Sequence, residues 1–329
     1  MAEISVGSAV GAGFQLIGRR PLSVLAWGAL RVVFTVVVFA VYAPVLMSTF
    51  TEAMQNAQAG GDAAQSQAAV SQMMSHMMVM QGAGYLAQIV GLFLSAIIYC
   101  AVCRAILHPE RSAFAYLRVG PPEFFVAILS FAAGIVAFLA ILIGMIPFLI
   151  VIAILAAQKA IAAMIVVICL SVAVLVAALI YILLRFAFVI PMMVDDGQFH
   201  LFDAWGLTRG HVGSLFVIGL SLFGLAIVGE LVIATLGFTA ARAAISGHMV
   251  DKQSIEAFLA LGPAAIAARI APWLIVGALV AIPVGGCVTT ILLAPWARAY
   301  RDVSPPPQPA AATPPPAPAP PTQPSPAVA

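Results

Sequence analysis

Charged side chains are scarce in this sequence: Asp, Glu, Lys and Arg together make up 8% of its 329 residues. A soluble globular domain carries about 25% charged and about 45–50% apolar residues. Here hydrophobic residues reach 63%, and the mean hydropathy is +1.12. Because so few charges could not cover a water-facing surface, these values exclude an ordinary soluble protein and favour a chain surrounded mostly by lipid.

The sequence also has little excess charge and few cysteines. A net charge of +2 without a basic cluster or a nucleic-acid-binding motif argues against a nucleic-acid partner. All four cysteines lie in apolar runs, where they behave as small hydrophobic residues. No nucleophile, base and orienting group converge in the sequence, so we expect no enzyme activity and no cofactor.

What the sequence does contain is a series of apolar runs, and about 20 residues are enough to span a bilayer. Lys159 is the only charge between residues 124 and 184, so the longest apolar run is expected to hold two spans joined by a tight turn. Residues 48–82 are rich in Ala, Gln, Met and Gly and are predicted to form a polar loop, and an extra helix is predicted over residues 251–261. The six predicted spans are residues 22–47, 84–107, two within 124–194, 215–238 and 273–296.

Positive side chains favour one side of these spans. If the spans alternate in direction, nine arginines fall on one side and four cations on the other. Cytoplasmic loops carry the excess of Lys and Arg, so both termini are predicted to be cytoplasmic. The nine are Arg19, Arg20, Arg104, Arg111, Arg118, Arg185, Arg209, Arg298 and Arg301, and the four are Lys159, Arg242, Lys252 and Arg269.

The stretch 185–221 predicts an amphipathic helix on the membrane surface. Phe199, Phe202 and Trp205 recur at three-residue spacing, polar residues take the other side, and Gly210 ends the segment. Such a helix places its aromatic rings at headgroup depth. A further amphipathic segment opens the chain before the first span, and residues 104–120 form a corresponding segment before the third span. We therefore predict cytoplasmic interfacial helices and a three-fold repeat of two-span hairpins.

The C-terminal segment differs in composition from the rest of the chain. Residues 304–329 are rich in Pro and Ala and contain no charged or aromatic side chain. A segment that can bury so little is predicted to be a disordered, polyproline-II-like cytoplasmic tail. The predicted organisation is a membrane domain over residues 1–303 and a tail over residues 304–329 that could contact a partner protein.

Three segments resemble a known family. They are the opening ISVGSAVGAGFQLIGRRPLSVL, the centre RFAFVIPMMVDDGQFHLFDAWGLTRGHVGSLFVIGL and the close LLAPWARAYRDV. They resemble six-span bacterial proteins related to the membrane domain fused to some glycerophosphoryl diester phosphodiesterases. The resemblance implies a six-helix membrane domain in a bacterial inner membrane. It does not imply the hydrolase, because the enzyme's separate catalytic barrel has no counterpart here.

Five arginines are the candidate lipid-headgroup contacts. They flank the predicted surface helices, where cations favour anionic lipid. The candidate contacts are Arg104, Arg111, Arg118, Arg185 and Arg209.

Two charges lie inside predicted spans. Glu230 in the fifth span is either a proton or cation site or a neutral Glu hydrogen-bonded to a neighbouring helix. Arg31 lies roughly 10 Å from the cytoplasmic end of the first span and is expected to turn its guanidinium toward the headgroups. In the sixth span, Pro283, Gly285 and Gly286 predict a broken helix of the kind that lines transporter sites, or an ordinary kink.

Residues 73–80 hold a cluster of methionines around His76. Thioethers are soft ligands suited to Cu(I), but a single short cluster is more typical of packing. No metal site is therefore predicted.

The leading functional hypothesis is a non-catalytic inner-membrane protein that organises lipid or a partner protein at the cytoplasmic face. The alternative hypothesis is a small-solute or proton-coupled transporter using Glu230 and the broken sixth helix.

Overall fold

The described part of the chain is a helical bundle. A computed structural model describes residues 4–59, 63–110, 114–198, 201–245 and 263–304, and no strand occurs in these stretches. A single 3-10 turn, Phe114–Tyr116, lies between two of the helices. The helices are α1 (Val6–Arg19), α2 (Pro21–Ala59), α3 (Ala63–Leu107), α4 (Pro121–Ala157), α5 (Ile161–Arg185), α6 (Val189–Asp196), α7 (Leu201–Leu207), α8 (Val212–Ile245) and α9 (Pro263–Val303).

In the part of the chain that the structure describes, six helices are long and apolar enough to cross a membrane: α2, α3, α4, α5, α8 and α9. This number confirms the prediction from hydropathy. The turn between α4 and α5 also falls where it was predicted, at Lys159, whose φ of 55° is left-handed. A left-handed residue just after a helix ends is a common way to reverse the chain tightly.

The predicted loop over residues 48–82 is wrong. α2 continues to Ala59, and α3 already begins at Ala63. The reason is that Ala, Gln and Met are strong helix formers even without an amphipathic pattern. The helix predicted over residues 251–261, by contrast, lies outside the described residues.

The expected surface helices take three different forms. α1 is a full helix, but its buried residues Ala9, Ala12 and Leu16 pack it against α9 and α8. Of the described residues just before α4, Phe114–Tyr116 form a 3-10 turn. The central segment forms two short helices, α6 and α7, and Gly210 (φ 90°) precedes α8 as predicted. The membrane-surface position of these helices and the three-fold repeat stay predictions.

Most of the core lies at one end of the bundle. We call it the arginine-bearing end, where α2, α4 and α8 begin and α3, α5 and α9 end. The packed segments, which hold the buried side chains, are residues 4–28, 96–105, 116–127, 184–222 and 286–300. Among the described residues between these segments, Ser171 has the only buried side chain.

Two glycines let α2 and α9 cross closely inside this core. A Cβ atom on Gly28 would overlap the carbonyl oxygen of Ile282, and one on Gly286 would overlap that of Val24. Only glycine fits such a backbone approach. α9 runs without interruption through Pro283, so of the two alternatives the broken helix is wrong, and Gly286 forms a helix crossing.

Candidate functional site

Arg104 and Glu123 form a buried ion pair where α3 ends and α4 begins. The Arg104 Nη2 atom contacts Glu123 Oε1, and the two side chains are only 16% and 2% exposed. The backbone N–H of Gly120 donates a hydrogen bond to Glu123 Oε2 at 3.0 Å. The carboxylate therefore caps α4 and neutralises Arg104 at the same time. Arg104 is engaged inside the protein, whereas the sequence predicted a headgroup contact.

A second polar contact joins α3, α6 and α9 at the same end. His108 Nε2 lies 3.1 Å from Asp195 Oδ1, and the Tyr300 hydroxyl donates to Asp195 Oδ2 at 3.2 Å. The ring of Tyr300 also meets that of Phe188 edge to face, with centroids 6.0 Å apart. Both partners of Asp195 therefore come from distant parts of the chain and not from its neighbours in sequence.

Arg185 is held between two aromatic rings. Its guanidinium carbon lies 4.7 Å from the centroid of the Trp205 ring and 5.5 Å from that of Tyr181. Nη1 donates to the Trp205 carbonyl oxygen at 3.3 Å, and Nε donates to the Tyr181 hydroxyl at 3.2 Å. These contacts attach α7 to the end of α5, so Arg185 positions the aromatic segment.

The remaining candidate arginines differ from these two. Arg118 lies in the connection before α4 and Arg209 in the turn before α8; both are exposed. Neither side chain makes an ion pair or hydrogen bond with another described residue. Arg19 and Arg20, at the end of α1, are exposed as well. Arg111 lies outside the described residues. These exposed guanidinium groups lie at the arginine-bearing end together with the exposed carboxylates of Glu110, Asp196 and Asp203.

Glu230 lies on α8, away from the arginine-bearing end. Its side chain is exposed, although its neighbour Gly229 is buried against Val288. No ion pair or side-chain hydrogen bond links Glu230 to the rest of the described chain. The described residues show no polar contact between Glu230 and Pro283, Gly285 or Gly286, although Gly229 packs against Val288 of the same helix, α9.

Arg31 is anchored by a residue of the sixth span. Its Nη1 donates to Thr289 Oγ1 at 2.7 Å, and that hydroxyl donates in turn to the Gly285 carbonyl oxygen at 2.7 Å. On α2, Arg31 lies farther from the arginine-bearing end than Gly28 does. On α9, its partner Thr289 lies closer to that end than Ile282 and Gly286, the residues that Gly28 contacts. The side chain therefore bends back toward that end, the direction expected of an arginine reaching for headgroups.

The thiols and thioethers form no centre in the described ranges. Cys100 and Cys103 are buried in the core, and Met74 and Met78 are exposed on α3, where the methionine cluster is helical. His76 belongs to this helix, but its side chain is not among those that the structure describes. No group of three or more His, Cys, Asp or Glu residues is placed to hold a metal ion in the part of the chain that the structure describes.

Sequence reasoning missed Glu123, Thr289 and Tyr300. A signal for Glu123 was present, because an acid three residues after Gly120, just before an apolar run, is typical of a helix cap. Nothing comparable marked Thr289 or Tyr300, since their partners lie 258 and 105 residues away.

No protein family, no curated protein and no solved structure matches the chain. The resemblance to the membrane domain of glycerophosphoryl diester phosphodiesterases therefore stays a hypothesis. The geometry of the bundle is the remaining guide to function.

Proposed function

We propose that this chain is a non-catalytic membrane protein that gathers anionic lipid, or a partner protein, at its arginine-bearing end. The observation that carries the proposal is the set of exposed arginines there, Arg19, Arg20, Arg118 and Arg209. Each cation near an anionic membrane surface contributes about 1 kcal/mol to attraction. The packed core holds these side chains on one face of the bundle.

The orientation belongs to the same proposal. The exposed arginines lie at one end, whereas Lys159, Arg242 and Arg269 lie at the other. By the positive-inside rule the arginine-bearing end is cytoplasmic, with both termini on that side of a cell inner membrane. The Pro-rich tail would then extend into the cytoplasm, where it could contact a partner protein.

The test is lipid retention. Substituting Arg118 and Arg209 by Gln should reduce several-fold the phosphatidylglycerol that stays with the detergent-purified protein, as measured by lipid mass spectrometry. Lys159→Gln, an exposed cation at the other end, is the matched control and should retain as much as the unmodified chain. Equal retention by all three proteins would contradict the proposal.

Transport is the second candidate, and Glu230 supports it. An ionisable side chain that is exposed within a span, with no partner in the described stretches, is expensive in lipid and is often functional. Proteoliposomes should then show proton or solute flux that Glu230→Gln abolishes. Flux that is absent, or unchanged by this substitution, would remove the candidate.

A further inference from the structure

A groove with apolar and polar lining residues lies along α3, flanked by α2 and α4. Its volume is about 530 Å³. It lies at the inner limit of the packed core: Val126 and Ala96 line its buried side, and Phe34 and Ala87 lie toward the loosely packed half of the bundle. Along α3 it runs from Tyr99 to Ala87, about 18 Å at 1.5 Å per residue.

The polar residues of the groove come from all three helices. Arg31 and Thr35 belong to α2, Gln88 and Ser95 to α3, and Ser130 to α4. The hydroxyls of Thr35 and Ser130 donate to backbone carbonyl oxygens one turn earlier in their own helices, at 2.9 and 2.8 Å. Arg31, Gln88 and Ser95 are exposed, although most exposed side chains of the spans are apolar. Polar side chains inside a span usually face a wet cavity or a polar partner, because leaving them against lipid is costly.

Charge in the groove has one sign. Arg31 is its only ionisable side chain apart from the phenol of Tyr99, and no carboxylate is among the described residues that line it. The single hydrogen bond that the Arg31 side chain makes with a described residue goes to the neutral Thr289. A guanidinium has five N–H donors and pairs best with a planar or tetrahedral oxyanion. An anionic group is therefore the complementary occupant.

The chemical character of the lining residues changes along the length of the groove. Phe34 lies over Gly91, so Arg31, one turn earlier on α2, is level with Ser95 on the antiparallel α3. Beyond this level the lining consists of Phe34, Ala87, Gly91 and Leu92, with two polar residues, Thr35 and Gln88. An occupant with an anionic head at Arg31 and a hydrocarbon chain along Gly91 would match both parts.

We propose that this groove is a binding site for an anionic membrane lipid, with the headgroup phosphate on Arg31 and one acyl chain along α3. The site is independent of the exposed arginines proposed above, because Arg31 lies about ten residues, or roughly 15 Å, along α2 from Pro21. Phosphate contacts by Arg31 and Ser95 give the site its preference for anionic over zwitterionic lipid.

The experiment measures thermal stabilisation of the full chain in detergent by dihexanoyl phosphatidylglycerol. Dihexanoyl phosphatidylcholine and sodium phosphate are the comparison ligands. Phosphatidylglycerol should stabilise the protein at concentrations about tenfold lower than phosphatidylcholine, a difference of about 1.4 kcal/mol. Inorganic phosphate should have little effect, since it lacks the chain. Equal effects of the two lipids, or the full effect from inorganic phosphate alone, would overturn the proposal.

Three variants assign the effect to the groove. Arg31→Gln should remove the preference for phosphatidylglycerol. Ser95→Phe keeps the charge but fills the groove, and should abolish stabilisation by either lipid. Lys159→Gln, an exposed cation at the other end of the bundle, should leave the preference intact. If Arg31→Gln and Ser95→Phe both fold and still show the preference, or if Lys159→Gln removes it, the assignment is wrong.

Discussion

The two halves of the bundle are built differently, although the same six helices form both. At the arginine-bearing end, helices from distant parts of the chain pack around Trp27, Phe188 and Leu215, which are 0% exposed. In the other half, the α4–α5 hairpin buries almost nothing, and Phe138 and Val166 are 63% and 64% exposed. The packed half also contains the ion pair of Arg104 with Glu123 and the hydrogen bond between Tyr300 and Asp195.

This difference shows which half of the bundle fixes the relative positions of the helices. Lipid is as apolar as Leu, so apolar side chains in the loose half gain little from packing against one another. In the packed half, glycine crossings, buried charges and aromatic pairs fix the helix positions. We infer that the arginine-bearing end determines the fold and that the other half is mainly a lipid-facing extension.

The largest expected effect comes from breaking the buried ion pair. Glu123→Gln leaves Arg104 without its counter-charge and should lower the free energy of unfolding by about 3–5 kcal/mol. The measurement is denaturant unfolding in detergent micelles. Lys159→Gln, at the exposed turn, is the control and should stay within about 0.5 kcal/mol of the unmodified protein. Equal stability of the two variants would show that the ion pair is solvated and does not organise the core.

A matched pair of phenylalanines compares the two halves directly. Phe188→Ala removes a side chain that is 0% exposed and should cost about 3–5 kcal/mol, because it leaves a cavity beside Tyr300. Phe138→Ala, on the exposed face of α4, should change stability by less than about 0.5 kcal/mol. Similar losses in the two variants, measured by the same unfolding assay, would mean that the halves do not differ in packing.

Two adjacent glycines give a smaller and more local test. Gly286→Ala places a Cβ atom against the Val24 carbonyl oxygen and should cost about 1–3 kcal/mol. Gly285→Ala meets no atom within 4 Å and should be neutral or slightly stabilising, since alanine favours helix. If Gly285→Ala were the more damaging change, α9 would be bent at this point and the crossing with α2 would be incorrect.

The sequence predicted the loose half better than the packed half. Apolar length alone located six spans, and the single charge of Lys159 located the turn between α4 and α5. The packed half depends on contacts between distant residues, such as Arg31 with Thr289, which hydropathy cannot reveal. Arg104 illustrates this limit of sequence-based prediction. Its position beside a predicted surface segment indicated a lipid contact, because the sequence did not show that Glu123 would face it.

Errors in the predicted helices have a similar physical origin. Polar composition suggested a loop over residues 48–82, yet Ala, Gln and Met prolong α2 and α3 beyond the apolar spans. The Pro283–Gly286 segment suggested a break, but packing of Gly286 on α2 is compatible with a continuous helix. Local composition does not show which residues of other helices a segment will pack against.

The proposed topology can be tested by finding the side of the membrane on which each end of the bundle lies. With the four native cysteines replaced, single cysteines at positions 118, 209 and 159 can be labelled in intact cells with a membrane-impermeant maleimide. We expect Lys159→Cys to be labelled from outside, whereas Arg118→Cys and Arg209→Cys should react only after the membrane is opened. Labelling of positions 118 and 209 from opposite sides would contradict the proposed topology.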